Sequence, residues 1–482
     1  MITTQRSVRS VIFTLGLSLF WVVFCWGIWE RGPWAMGINY LLFVLGLAFL
    51  FDFQSVYRAP LRRQFSWLIP IILIALSFFL YENPFIKAVN VVVLPPLFAV
   101  YRIAVTTGNE SNVRWSGNKW IEHLIRRFFG VLLKVGSAAE MIGRTIVPLK
   151  NGRTDVVRKV VLGVGILVLV SVAVFIPLLS SADPMFEKLT DDLWRQLADV
   201  LSMRYVFKTI FFAALSVVLL AMSLSWNTGQ DFVVEEKQST MDDIVSGIVL
   251  GGILLLYLLF MYTQVQSLWV GSLPTAFSET EILVKKGFWQ LFILSGINVF
   301  LFLVYYRRTK AVVQKILVLF MFASLFLLVS AANRMGMYVW FYGFSYEKFF
   351  ATYTVLFALI LFGYLIRSLF SAERKDIVKF LITGFVWMYA VAAVLPMEQF
   401  IFRANARLSE RPDSRINMME LQMLSADVYG LVRQQHAMIS EASDESHTKE
   451  IWEEWLQDQE RKSREKAWYE WTVQDLKLRF LL

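Results

Sequence analysis

Cysteine is nearly absent from this sequence. Cys25 is the single one in 482 residues, so no intramolecular disulfide and no cysteine-built metal cluster can form. Histidine is almost as scarce: His123, His436 and His447 show no pair at metal-ligand spacing, and neither a metal nor another cofactor is expected. Charged residues make up only 18%, against 57% hydrophobic with 41 Phe and 17 Trp, which is not a soluble composition. Motifs that carry chemistry are missing too. There is no His-Glu-x-x-His, no Gly-x-Ser-x-Gly and no Walker lysine loop, and Ser295 lies in an apolar run with no histidine on any other such run. These absences favour a non-enzymatic protein.

What is present is apolar sequence in blocks of about 20 residues, the length that crosses a hydrocarbon core roughly 30 Å thick. Eleven such blocks can be read, at 8 to 29, 34 to 51, 65 to 81, 84 to 107, 158 to 180, 204 to 225, 243 to 263, 287 to 306, 316 to 332, 349 to 370 and 379 to 396. The expected fold is an all-α polytopic transmembrane helix bundle of about 11 spans with a C-terminal helical soluble tail. Its expected domains are 1–107 (N-terminal transmembrane helices), 108–157 (a cytoplasmic basic loop), 158–396 (the main transmembrane bundle) and 397–482 (a helical tail outside the cytoplasm).

The net charge of +9 does not point to nucleic acid, because the bases sit mostly in short loops between apolar blocks, where they orient helices. Arg58, Arg62, Arg63, Arg307, Arg308 and Lys310 fall on the side that the positive-inside rule makes cytoplasmic. Arg6 and Arg9 precede an apolar run without an Ala-x-Ala cleavage site, which reads as a retained signal anchor. The N-terminus is then cytoplasmic and, with an odd number of spans, the C-terminus is outside.

Within the loop 108–157, Ile121, Leu124, Ile125, Phe128, Val131, Leu132, Val135 and Ala139 recur at helical spacing, with Lys119, Glu122, Arg126, Arg127 and Lys134 on the other face. This amphipathic helix either lies on an anionic leaflet, giving a lipid contact at residues 119–142, or packs under the bundle. Met418, Leu421, Leu424, Val428 and Leu431 mark a helical stripe in the tail, followed by Trp452, Trp455, Trp468 and Trp471. The tail is the expected contact for an envelope protein partner.

The middles of the spans carry almost no charge, which weakens a proton-coupled transporter. Lys87, Arg102, Lys208 and Arg367 lie near span ends, where they are expected to snorkel to water. Inside the spans the polar residues are amides, among them Asn90 and Asn298, which either tie helices together or line a route. The remaining candidate site is the run from Asn333 to Lys348. Asn333 and Arg334 are read as ending one span and Glu347 and Lys348 as opening the next, so the four should share a patch with Tyr338 and Tyr342. An aromatic interface belt pinned by an Arg-Glu pair is the simpler reading of the same residues. Asp183, Asp191 and Asp192 offer carboxylates for a metal-dependent transferase, or are plain solvated acids.

Several segments together resemble one family: Lys285-Lys286-Gly287-Phe288-Trp289-Gln290-Leu291, Arg334-Met335 with Tyr338, Tyr342-Gly343-Phe344-Ser345 ending in Lys348, Ser181 to Phe186, Asn405, and Leu424-Ser425 followed by Asp427. The family is an uncharacterised bacterial group of polytopic membrane proteins, known only as a domain of unknown function. Where its pattern has Arg-Arg-Gly-Phe-Phe-Glu this chain has Lys285, Lys286 and Gln290, and Lys348 and Asn417 replace an Arg and an Asp. The resemblance implies a multi-pass protein of the bacterial inner membrane and no particular activity. Three functions are weighed: an envelope scaffold or sensor, a transporter or lipid flippase with a site near Asn298 and Arg334, and a membrane-embedded transferase.

Overall fold

The computed structural model describes residues 2–53, 61–106, 118–146, 203–226, 241–268, 277–371, 376–416, 418–434 and 446–480, and isolated helical positions between 163 and 190. All regular structure among them is helical. Fourteen helices frame the description: α1 Ile2–Phe20, α2 Ile38–Phe53, α3 Leu61–Leu80, α4 Pro84–Thr106, α5 Asn118–Ile146, α6 Met203–Trp226, α7 Asp243–Leu268, α8 Phe277–Tyr305, α9 Ala311–Tyr342, α10 Tyr346–Phe370, α11 Ile377–Val394, α12 Met397–Ser409, α13 Ser446–Glu465 and α14 Val473–Phe480. Among the described residues, seven helices are long and apolar enough to cross a membrane, and Ile38–Asp52, Gln64–Leu80 and Phe292–Tyr305 are apolar but shorter. This is an all-α, membrane-type protein. Apart from isolated helical positions, the expected block at 158–180 lies outside the described residues, and so do the acids Asp183, Asp191 and Asp192.

The reason for helix throughout is the solvent: in hydrocarbon each backbone N–H and C=O must find its partner inside the chain. Helix ends are where this becomes demanding, and the sequence supplies caps there. Asn83 accepts from the Ile86 N–H at 3.0 Å ahead of Pro84, the first residue of α4. Asp242 accepts from the N–H groups of Ile244 and Val245 at 2.8 and 2.9 Å. Asp376 accepts from Lys379 N–H at 3.1 Å.

The chain forms two compact units. The first comprises residues 1–111, 118–232 and 462–482, so it unites α1 to α6 with the last residues of the chain. One end of this unit gathers the turn Gly32–Gly37, the turn Tyr81–Asn83 and the C-terminal segment. At its other end Asp52 accepts from Arg102 at 2.9 Å and from the Tyr101 hydroxyl at 2.6 Å. There α5 packs Ala138 against Val11, Leu220 and Ala221, and Arg127 donates to the Trp226 carbonyl at 2.8 Å. Phe128, Phe129, Leu132 and Leu133, on another face of α5, stay exposed. The amphipathic helix therefore packs on the bundle through one apolar strip and keeps a second one uncovered.

The second unit, residues 233–461, is built on α7 to α12, with a core that includes Phe302, Leu317, Phe320, Met321, Phe362 and Leu365, all fully buried or nearly so. The stretch 397–482, expected as one tail, is divided between the two units, 397–461 in the second and 462–482 in the first.

The structure corrects one boundary. The ninth span was expected to end at 332, with a short aromatic surface segment after it. Instead α9 runs for 32 residues from Ala311 to Tyr342 and stops only at Gly343, whose φ of 66° few other residues accept. Nothing between Ala332 and Tyr342 breaks a helix, and at 1.5 Å per residue α9 is about 48 Å long, well beyond a hydrocarbon core of roughly 30 Å.

Gly37 serves a different purpose. A Cβ there would lie 2.2 Å from the Glu470 carbonyl oxygen and 2.5 Å from that of Trp471, so the glycine lets the C-terminal backbone rest on the start of α2. Gly37→Ala should therefore lower stability by about 1–3 kcal/mol through overpacking against rigid backbone. Gly336→Ala, where nothing lies within 4 Å, should be neutral or slightly stabilising. Thermal unfolding of the two variants in detergent checks the difference.

Candidate functional site

The candidates expected from sequence fall in three places. Asn90 is fully buried and donates to the Ser77 hydroxyl at 2.7 Å, joining α4 to α3. Asn298 is buried in the other unit, where its side-chain oxygen accepts from the Tyr257 hydroxyl and joins α8 to α7. Each amide holds two helices together.

The third place is the end of α9. Tyr338 is buried, with the Tyr342 ring 5.3 Å away and the Lys348 ammonium 4.3 Å from its ring centre. Lys348 also donates to the carbonyls of Tyr342 and Gly343 at 3.1 and 2.9 Å. Its charge therefore sits on the carbonyls at a helix C-terminus, the favourable end for a cation. Glu347 is exposed in the first turn of α10. Asn333 and Arg334 lie two turns back along α9, inside the helix and not at its end. The structure thus brings Tyr338, Tyr342 and Lys348 together.

The chain's own later residues cover this junction. Asn405 accepts from the Phe344 N–H at 2.6 Å and donates back to the Phe344 carbonyl at 2.8 Å, a two-way clamp on the Gly343 turn. The Arg415 N–H donates to the Phe341 carbonyl at 3.0 Å, and Arg411 lies 3.9 Å over the Trp340 ring while donating to that residue's carbonyl. Glu398, almost fully buried on α12, accepts from Tyr346, from the Ser425 N–H at 2.8 Å and from the Ser425 hydroxyl at 2.6 Å. Asn405, Ser425 and the Tyr342–Phe344 turn, far apart in sequence, meet at one junction.

A more heavily charged cluster went unseen in the sequence. At one end of the first unit, Glu82, Lys87, Lys466 and Asp475 are all buried together with Thr472. Lys466 forms ion pairs with Glu82 and, at 2.9 Å, with Asp475. Lys87 pairs with Glu82 at 3.3 Å and donates to the Met36 carbonyl at 2.6 Å. The Thr472 hydroxyl reaches both acids, at 2.5 Å to Glu82 and 3.0 Å to Asp475. Beside this quartet Glu470, fully buried, pairs with Arg31 and accepts from the Ala467 N–H at 3.1 Å. The expectation that Lys87 and Arg102 snorkel is corrected. Both are buried, because each has an acid beside it: Glu82, five residues back, for Lys87, and Asp52, from the end of α2, for Arg102.

Two acids and two bases balance, but they do not share the cost evenly. Burial is the largest influence on Glu82 and pushes its carboxyl above the ordinary 4.5, while Lys87 and Lys466 pull it back. Burial works against ionisation of Asp475 as well, yet hydrogen bonding to Glu82, the charge of Lys466 and the N–H of Thr472 hold it at about 2, below the ordinary 3.8. Lys466 is disfavoured by burial and rescued by the two carboxylates, which leave it above 10.5. No group of His, Cys, Asp or Glu among the described residues is arranged to hold a metal ion.

One signal in the sequence could have pointed here. Glu82 and Lys87 flank Asn83-Pro84 at a helix start, five residues apart, an acid and a base close enough in sequence to pair. The other half, Lys466 and Asp475, carried no such mark.

Residues 68–434 match a family model described as Domain of unknown function (DUF4153). The match includes Glu82 and Lys87 and stops short of Lys466 and Asp475. No curated protein and no solved structure matches the chain.

Removing one member of a buried ion cluster strands the rest. Lys466→Met should destabilise the first unit by about 3–5 kcal/mol. The pH dependence follows from the shifts. The contribution of Asp475 is complete above pH 3.8 and lost as pH falls through about 2. Glu82 acts in the opposite sense: the folded chain keeps a proton that the unfolded chain releases, so stability declines as pH rises above 4.5. Melting temperatures measured against pH should show that decline weakened in Glu82→Gln.

Proposed function

This chain belongs to the family described as Domain of unknown function (DUF4153), and from that premise we propose that it is a non-enzymatic integral membrane component, a scaffold or sensor. One observation carries the reading. The strongest polar groups in both units are engaged in holding distant parts of the same chain together: the Glu82, Lys87, Lys466 and Asp475 quartet in one, and the Asn405 and Glu398 clamps in the other. Such groups define a shape and present surfaces. Asn298, the centre of the transport alternative, is bonded to Tyr257.

The placement we propose is a bacterial inner membrane, with the N-terminus cytoplasmic and the C-terminus outside. In the second unit Arg307, Arg308 and Lys310 form the turn between α8 and α9, and Arg307 donates to the Ser371 carbonyl, so these bases gather at one end as the positive-inside rule asks of a cytoplasmic end. In α5, the uncovered Phe128, Phe129, Leu132 and Leu133 with exposed Arg126 and Lys134 support a helix lying against anionic lipid within residues 119–142. Trp468, 61% exposed on the C-terminal segment, supports an envelope protein partner there.

Two measurements test this. Protein reconstituted in liposomes should take up no solute in a saturable manner, and a photo-reactive residue in place of Trp468 should give a discrete protein adduct in cells. Saturable uptake would replace the scaffold with a transporter.

A further inference from the structure

Helix α12 has two unlike faces. Met397, Ile401, Phe402 and Asn405 are buried in the second unit. The other face carries Arg403 and Arg407, both exposed, one turn apart. They line a groove of about 340 Å³ together with Pro396, Gln399, Phe400 and Ala404. Among the described residues neither guanidinium has a carboxylate or a hydrogen-bond partner. Further along the chain the half-buried Arg411 lies on the Trp340 ring, and the exposed Arg415 donates to the Tyr342 hydroxyl at 3.1 Å.

Like charges at i and i+4 repel, and an anion between them reverses the sign of that interaction. The groove is not simply cationic. Pro396, Phe400 and Ala404 give it an apolar wall, and Phe400 is 47% exposed. The helix begins three residues after α11, a span long and apolar enough to cross the membrane, ends at Val394. A ligand with one negative group and a greasy body fits this combination, and a free inorganic anion does not use the apolar wall.

We propose that the α12 groove is a binding site for an anionic phospholipid, its headgroup phosphate held between Arg403 and Arg407 and its acyl chains running past Phe400 toward the end of α11. The site is separate from the lipid contact of α5 and does not depend on the scaffold reading.

The test uses the full-length chain in phosphatidylcholine nanodiscs, with a fluorophore on an exposed cysteine introduced by Glu410→Cys, next to the groove. Spin-labelled phosphatidylglycerol should quench it at least about fivefold more effectively than spin-labelled phosphatidylcholine at the same mole fraction. The preference should disappear in Arg403→Gln/Arg407→Gln, persist in part in Arg403→Lys/Arg407→Lys, and resist millimolar inorganic phosphate. Equal quenching by the two lipids, or a preference unchanged in the glutamine pair, overturns the proposal. Loss of the preference on adding inorganic phosphate overturns it as well, because the site would then recognise a free anion. The glutamine pair replaces exposed side chains, and an unchanged melting temperature confirms that it folds.

Discussion

Burying a charge is expensive, and burying four is tolerable only when each is answered by another. That constraint governs the first unit. Lys466 cannot leave Glu82 and Asp475 without stranding two acids, and Glu82 cannot leave Lys87 without stranding a base. The C-terminal segment is therefore an internal part of the unit formed by the first helices, although 384 positions of sequence separate Glu82 from Lys466. Gly37 adds the space and Glu470 with Arg31 adds a second ionic contact beside it.

The second unit solves a related problem with hydrogen bonds in place of ion pairs. The end of α9 exposes carbonyls, and these are taken up by Lys348, by the N–H of Arg415 and by Arg411. Asn405 then pairs with both backbone groups of Phe344. In each unit, residues after the last membrane span return to the ends of helices and close polar groups that lipid could not satisfy.

The helical membrane body was legible because hydrocarbon thickness imposes a period on the sequence that composition alone displays. The same arithmetic failed at the end of α9: an interface helix rich in Tyr and Trp is not apolar enough to count as span, and only a breaker such as Gly343 marks where it stops. For Asn298 and Asn90 the sequence left two readings, a helix tie or the lining of a route, because an amide in lipid can serve either; the bonds to Tyr257 and Ser77 depend on which helices pack together, which the sequence does not display. The quartet was not readable. Lys466, Asp475 and Glu470 sit in a stretch whose composition is that of a solvated helix, and what buries them is the shape of a distant pair of turns. Lys87 and Arg102 misled for the same reason, since burial of a base depends on where its acid comes from.

The central claim is that Glu82 and Lys466 are coupled across the chain inside a buried cluster, and a double-mutant cycle tests it most directly. Unfolding free energies of the wild-type chain, Glu82→Gln, Lys466→Met and the double variant should give an interaction energy of about 1–3 kcal/mol. Additivity within about 0.5 kcal/mol would mean that the two side chains do not meet, and the account of a locked C-terminal segment would be wrong.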